Sequence, residues 1–210
     1  MLQKIENSIK NRVRKTNNKS VRSEKYIILT NNCLAGFLYH DYHLQFNSPT
    51  INLQLMPEDF VNFCNKLEYY LAQDLIEVIQ KPKEYYYLFA AHNFPVGKLG
   101  DLTIYFQHYS DFAQAKMAWE RRKKRTIELL EKGNQPYVIL VSKILDKNVE
   151  NKFKKLDFKN KIILSAEREN DECVFNLPGW SKRDWWEYRN WYSLKRNYED
   201  FDFRDWLKLS

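Results

Sequence analysis

The sequence predicts an α/β fold: a three-layer domain around a central, mainly parallel sheet, with an antiparallel hairpin and an aromatic C-terminal extension. Two observations carry this. Tyr137 to Val141 (YVILV), a lysine-rich helical stretch near Lys147 to Lys155, and Ile162 to Ala166 (IILSA) form a strand–helix–strand unit of about thirty residues, the length of a parallel crossover. Tyr26 to Thr30 (YIILT) is a second run apolar on both faces, as a strand covered on both sides must be, and it ends in the polar turn Asn31-Asn32-Cys33.

The remaining elements follow in order. Residues 1–20 place Leu2, Ile5, Ile9 and Val13 on one helical face, with Lys4, Lys10, Arg12, Arg14 and Lys15 around the rest. Such a helix either packs its apolar face on the domain or lies on an anionic lipid surface, so residues 1–20 are the segment for peripheral contact with a membrane. Leu34 to Leu44 can begin a helix, with Gly36 permitting close backbone approach. Ser48-Pro49-Thr50 interrupts it, and Ile51 to Leu55 is a short strand candidate. Pro57-Glu58-Asp59 opens a helix with proline early and acids at the positive end of the dipole. Its apolar face runs through Phe60, Phe63, Cys64, Leu67, Leu71 and Leu75, which makes Cys64 a core residue.

Tyr85 to Ala91 and Asp101 to His108 read as two strands of a hairpin joined through the turn Phe94-Pro95-Val96-Gly97. Ser110-Asp111 caps a cationic helix from Phe112 to about Glu131, with Gly133 as its stop. The α/β domain therefore spans residues 21–176. Residues 177–210 hold all the tryptophans except Trp119 and wrap the same domain.

Composition narrows the classes of function. Cys33, Cys64 and Cys173 are odd in number, far apart and without zinc-type spacing, so they read as reduced thiols. No stretch approaches a membrane span and the first twenty residues lack a secretory apolar core, which points to the cytoplasm, with the inner face of the membrane as the place for a peripheral contact. A formal charge of +7 with six Trp and fourteen Tyr suits phosphate-bearing or sugar-bearing ligands. No Cys₂His₂ spacing, RNP-type octamer or GxxG clamp accompanies the charge, so nucleic acid is not expected as a partner. Without GxxxxGK[ST] or GxGxxG, neither nucleotide hydrolysis nor a standard dinucleotide site is expected.

Three blocks, YIILTNNCLAGFLYHDYHLQFNSPTINL, MPEDFVNFCNKLEYYL and FPVGKLGDLTIYFQHYSDFAQAKMAWERRKKR, together resemble the family of domain of unknown function 1919, often labelled exopolysaccharide biosynthesis protein. The resemblance spans about residues 25 to 125, and the ending YEDFDFRDWLKL is similar to the family's closing segment. It implies a cytoplasmic α/β protein of capsule or surface-polysaccharide synthesis, sometimes labelled an acyltransferase. The chain departs from the family pattern at Leu34-Ala35, in place of an aromatic–glycine pair, and at Val141-Ser142-Lys143, where an acidic strand end is common.

Candidate chemistry gathers at strand ends, where α/β folds place ligands. His108 is the candidate general base, with Tyr109 beside it and Asp41 as substrate-binding candidates; a structural hydrogen bond is the competing role for His108. Asn31 and Asn32 can steady an anion or bind sugar hydroxyls, though Asx turns use the same residues. Cys33 joins them as a substrate-side residue, and as a nucleophile it lacks any partner base that the sequence identifies. Arg121, Arg122 and Arg125 can grip the phosphates of acyl-coenzyme A or a nucleotide sugar, or form a solvated face. Ser48, Thr50 and Asn52 can line a sugar pocket or simply build a turn.

His40, Asp41 and His43 are poorly arranged for a metal, and none is assigned. The tryptophans of the C-terminal segment read as sealing a core edge, with no binding role assigned. Taken with the resemblance, these candidates point to a transferase acting on a sugar or polysaccharide precursor, with acyl transfer preferred. Glycosyl transfer is the alternative, with Asp41 or Asp101 as its carboxylate base. A non-catalytic partner of a membrane-associated assembly complex, using residues 1–20 and the aromatic tail, is the second class. The enzyme readings require the Asn31–Cys33 turn, His108 and the arginine helix to open onto one hollow.

Overall fold

Alternation of side chains along the strands decides the layering. The computed structural model describes residues 2–17, 25–83, 93–190 and 192–209. Its elements run α1 (Leu2–Asn17), β1 (Ile28–Thr30), α2 (Leu34–Asp41), α3 (Pro57–Asn65), α4 (Leu67–Ala72), β2 (Leu75–Glu77), β3 (Val96–Leu99), β4 (Leu102–Tyr105), α5 (Phe112–Glu131), β5 (Tyr137–Val141), α6 (Lys147–Lys154), β6 (Asn160–Ser165), β7 (Val174–Asn176) and α7 (Phe203–Trp206). Short 3-10 turns occupy Pro178–Ser181 and Asn197–Asp200.

β1, β5, β6 and β7 form a parallel sheet in that order. Because strand side chains alternate, Leu29, Val138, Leu140, Ile163 and Val174 face one way and pack with Phe60, Phe63, Trp119, Val149 and Phe153 from α3, α5 and α6. Ile28, Ile139, Val141, Ile162 and Leu164 face the other way, against Leu34, Leu38 and Tyr39 of α2 and Trp180, Tyr198, Phe203 and Leu207 of the C-terminal segment. Burial of a side chain of this size contributes about 1.5–3 kcal/mol. Two apolar layers on one sheet give the predicted three-layer architecture.

The antiparallel element is present with different partners. β3 pairs β4 through the Gly100-Asp101 turn, and β2 adds on the far side of β3. Gly100 takes φ 61°, which a side chain would resist. Val96-Gly97 is thus strand and not turn, while the expected strand Tyr85 to Ala91 lies outside the described residues. β4 ends at Tyr105, so His108 stands three residues past the strand. Ile51 to Leu55 forms a turn with a single bridge between Gln54 and Tyr105.

The helix expected from Pro57 breaks at Lys66, whose φ −126° and ψ 45° leave the helical region, and Leu75 passes to β2. α5 runs as expected: the Asp111 carboxylate accepts from the Gln114 N–H at 2.9 Å, and Gly133 beyond its end takes φ 79°.

The carboxyl end of β1 is held from two directions. The Asn31 side chain accepts from the Val141 N–H at 2.8 Å and donates to the Val141 carbonyl at 3.1 Å, bridging the ends of β1 and β5. The Thr30 N–H donates to the Thr50 hydroxyl at 3.1 Å, which lies 2.9 Å from the Ser48 hydroxyl. All five residues are buried. Asn31→Ala is expected to lower stability by about 2–3 kcal/mol by leaving both Val141 backbone groups unpaired, measurable as a lower midpoint in urea with unchanged slope.

Candidate active site

β1 and β5 end at the same edge of the parallel sheet, and the chain that leaves each end lines a cavity of about 860 Å³. The β1 exit contributes Asn31, Asn32 and Cys33; the β5 exit contributes Ser142, Lys143 and Ile144; the loop after β4 contributes Gln107 and His108. Phe37, Met56, Phe94, Trp180, Trp185 and Trp186 supply much of the apolar wall. No carboxylate and no arginine is among the described lining residues, and Lys143 is their ammonium group.

Cys33 is the residue that precedes the first turn of α2, and its Sγ lies 3.0 Å from His108 Nε2. Gln107 Oε1 is 3.6 Å from the same sulfur, while its amide donates to Gln54 Oε1 at 2.8 Å and is fixed there. Burial pushes the Cys33 thiol up to about 12; His108 is exposed as a residue, and partial desolvation of its ring against the cavity lowers the imidazole below its ordinary value. Both shifts disfavour the charged forms, so the pair rests as a thiol facing a neutral imidazole. That is the ground state of general-base activation, in which the proton leaves sulfur only as sulfur attacks. The start of α2 places the positive end of its backbone dipole beside that sulfur.

The neighbouring amides divide. Asn31 spends its Oδ1 and one of its two Nδ2 hydrogens in bridging β1 to β5, which fixes the carboxamide and leaves one N–H. Asn32 Oδ1 accepts from the Leu34 N–H at 3.0 Å, an Asx turn at the helix start, whereas its Nδ2 has no protein partner among the described residues. Asn32 is therefore the amide with both Nδ2 hydrogens left to donate into the cavity that the two residues line.

The other sequence candidates lie elsewhere. Arg122 is buried, donating to the Ile51 carbonyl at 3.1 Å and the Tyr109 hydroxyl at 2.8 Å, with its guanidinium over the Phe46 ring. Arg125 donates to the Phe46 carbonyl at 3.2 Å, and Arg121 is exposed on α5. The expected meeting of the arginines with His108 is thus not found: two of them tie α5 to the 46–51 loop. Tyr109 serves that same tie. Ser48 and Thr50 are consumed in pinning β1, and Asn52 turns the chain at φ 62° with its carboxamide against Gly36. Asp41 accepts from the Tyr198 hydroxyl at 2.6 Å, and Asp101 accepts from the Tyr70 hydroxyl at 2.8 Å; neither lines the cavity.

The sequence reading missed Gln54, Gln107 and Lys143, although Lys143 carries the same strand-exit signal as Asn32. It also read the tryptophans that wall the cavity as sealing a core edge, with no binding role.

Fold and cavity together define an α/β protein with a cysteine–histidine pair at the carboxyl ends of its parallel strands. The family model described as "Domain of unknown function (DUF1919)" matches residues 4–208, and the chain belongs to that family. It is also similar to an uncharacterized protein of Haemophilus influenzae, 29% identical over 216 residues, with 98% of this chain and 97% of the relative covered.

Two outcomes test this geometry. Iodoacetamide should label Cys33 slowly at neutral pH, with the rate climbing only in strongly alkaline buffer; rapid labelling with an acidic midpoint, read by peptide mass spectrometry, would show a preformed thiolate–imidazolium pair instead. Arg122→Met should cost about 2–4 kcal/mol in thermal or urea unfolding, because the buried Ile51 carbonyl and the part-buried Tyr109 hydroxyl lose their donor and the packed guanidinium is gone.

Proposed function

We propose that the chain transfers an acyl group to a hydroxyl of a surface-polysaccharide precursor, with Cys33 carrying the group and His108 moving the protons. The observation that carries this reading is the 3.0 Å approach of sulfur to imidazole inside a cavity without carboxylates among its described lining residues. The precursor class comes from the family resemblance, and the aromatic wall of Phe37, Trp180, Trp185 and Trp186 suits the apolar faces of sugar rings.

The chemistry follows from the pair. His108 Nε2 takes the thiol proton as Cys33 Sγ adds to the carbonyl carbon of an acyl thioester. The tetrahedral oxyanion is met by Asn32 Nδ2 and the positive end of α2. Collapse breaks the bond to the donor sulfur, which leaves with the proton from His108, and Cys33 holds the acyl group as a thioester. A sugar hydroxyl then gives its proton to His108 as its oxygen attacks, and the second collapse returns that proton to Cys33.

Glycosyl transfer is served less well. Asp41 and Asp101, its candidate bases, are outside the cavity lining, and so are the three arginines meant for a diphosphate. The same arrangement bears on coenzyme A, for whose phosphates the described lining offers the Lys143 ammonium. A peripheral, non-catalytic role predicts no ligand for this cavity.

Intact-mass measurement after incubation with short-chain acyl-coenzyme A tests the proposal. The expected result is a mass gain of one acyl group that hydroxylamine removes, absent in Cys33→Ala and present in Cys64→Ala. His108→Gln should slow its formation by about 10²- to 10⁴-fold, the usual contribution of a positioned base. Since His108 must be neutral to accept a proton and partial desolvation lowers its pKa, the rate should hold as pH falls past about 6.5, the ordinary histidine value, and drop only in more acidic buffer. Unchanged mass, together with no thermal stabilisation by acyl-coenzyme A or nucleotide sugars, would leave the partner role standing.

A further inference from the structure

The amphipathic helix α1 is seated the opposite way from an ordinary surface helix. Its polar side faces the protein: Lys10 is buried, paired with Glu6 at 2.7 Å and placed 4.8 Å above the Tyr188 ring. Its apolar residues at successive turns face outward, with Ile5 52%, Ile9 58% and Val13 38% exposed. A helix that packs on its domain buries this stripe, because covering it is what makes such a helix stable. Here it remains uncovered beside a strong positive charge. Residues 1–25 carry eight Lys and Arg against Glu6 and Glu24, a surplus of six within a whole-chain net charge of +7.

We propose that α1 docks the protein on an anionic membrane surface, with Ile5, Ile9 and Val13 entering the headgroup region and the flanking basic residues drawing in acidic lipid. Charge complementarity selects this occupant: an apolar stripe within a cationic segment is what an anionic bilayer attracts, whereas a second copy of the same segment would bring like charges together. The docked helix lies next to the cavity. Asn7 and Lys10 border a notch whose wall includes Trp186, and Trp186 is also part of the cavity wall. Membrane contact through α1 therefore sets the cavity near substrates carried at the bilayer. The docking itself holds whatever reaction the cavity performs.

Sedimentation of the full chain with phosphatidylcholine vesicles, with and without about 30% phosphatidylglycerol, tests this. Binding is expected to the anionic vesicles alone and to fall at least tenfold between 50 and 500 mM salt, as ~10 Å screening at 0.1 M implies. Ile5→Asp/Ile9→Asp should reduce the bound fraction at least fivefold at low salt with an unchanged melting temperature, since both side chains already face water. Should that variant lose its fold, Arg12→Gln/Arg14→Gln/Lys15→Gln is to reduce the anionic-vesicle partition by a similar factor. Equal binding to neutral vesicles, wild-type binding by both variants, or a dimer in solution that the aspartates dissolve without any vesicle binding would overturn the proposal.

Discussion

The Asn31 carboxamide is the constraint on which the site depends. Parallel strands of only three and five residues, β1 and β5, separate readily at their ends because the ladder stops there. By bonding both the N–H and the carbonyl of Val141, Asn31 supplies the two bonds that a further strand residue would make, yet lets its own backbone turn away. Its carbonyl accepts from the Leu55 N–H at 2.8 Å, which fixes the direction of that turn. Cys33 is delivered two residues later to the first turn of α2, at the place where the loop after β4 brings His108. A residue read first as a catalytic amide thus acts one step back, by fixing the backbone that presents the sulfur.

The cationic helix shows the same displacement of role. A run such as Arg121 to Arg125 suggests anion binding, but a guanidinium has five donors in a rigid fork and backbone carbonyls serve it well. The loop between Phe46 and Ile51 has carbonyls that no ladder satisfies, and Arg122 and Arg125 satisfy two of them, Thr126 a third. Desolvating Arg122 costs energy that these bonds and the Phe46 ring offset. The result is a loop stiff enough for Ser48 and Thr50 to brace β1 from behind.

What the letters reveal and what they hide follow from range. The β5–α6–β6 unit and the span of α5 were legible because periodicity and caps are local, as with the Asp111 carboxylate. β2 and β7 were not, since three-residue strands such as Leu75–Glu77 exist through their partners and carry no period of their own. In the site, the Asn31–Cys33 turn and His108 were legible as strand exits. The pairing of Cys33 with His108 was not, because it joins residues 75 positions apart, and no feature near Cys33 announces the imidazole. Arg122 went the same way: its charge was visible, while the carbonyl 71 positions away that consumes it was not.

The walls of the cavity differ in when the ribosome provides them. Cys33 and His108 lie within the first 108 of the 210 residues, whereas Trp180, Trp185 and Trp186 come from the last fifth and pack back onto α2 through contacts such as Phe37 against Trp185. A nascent chain released short of these tryptophans would present a bare sulfur and imidazole on an open ledge, with no enclosure to hold a ligand. Completion of synthesis is thereby built into the architecture as a condition for enclosing the cavity, and a truncated product lacks that wall.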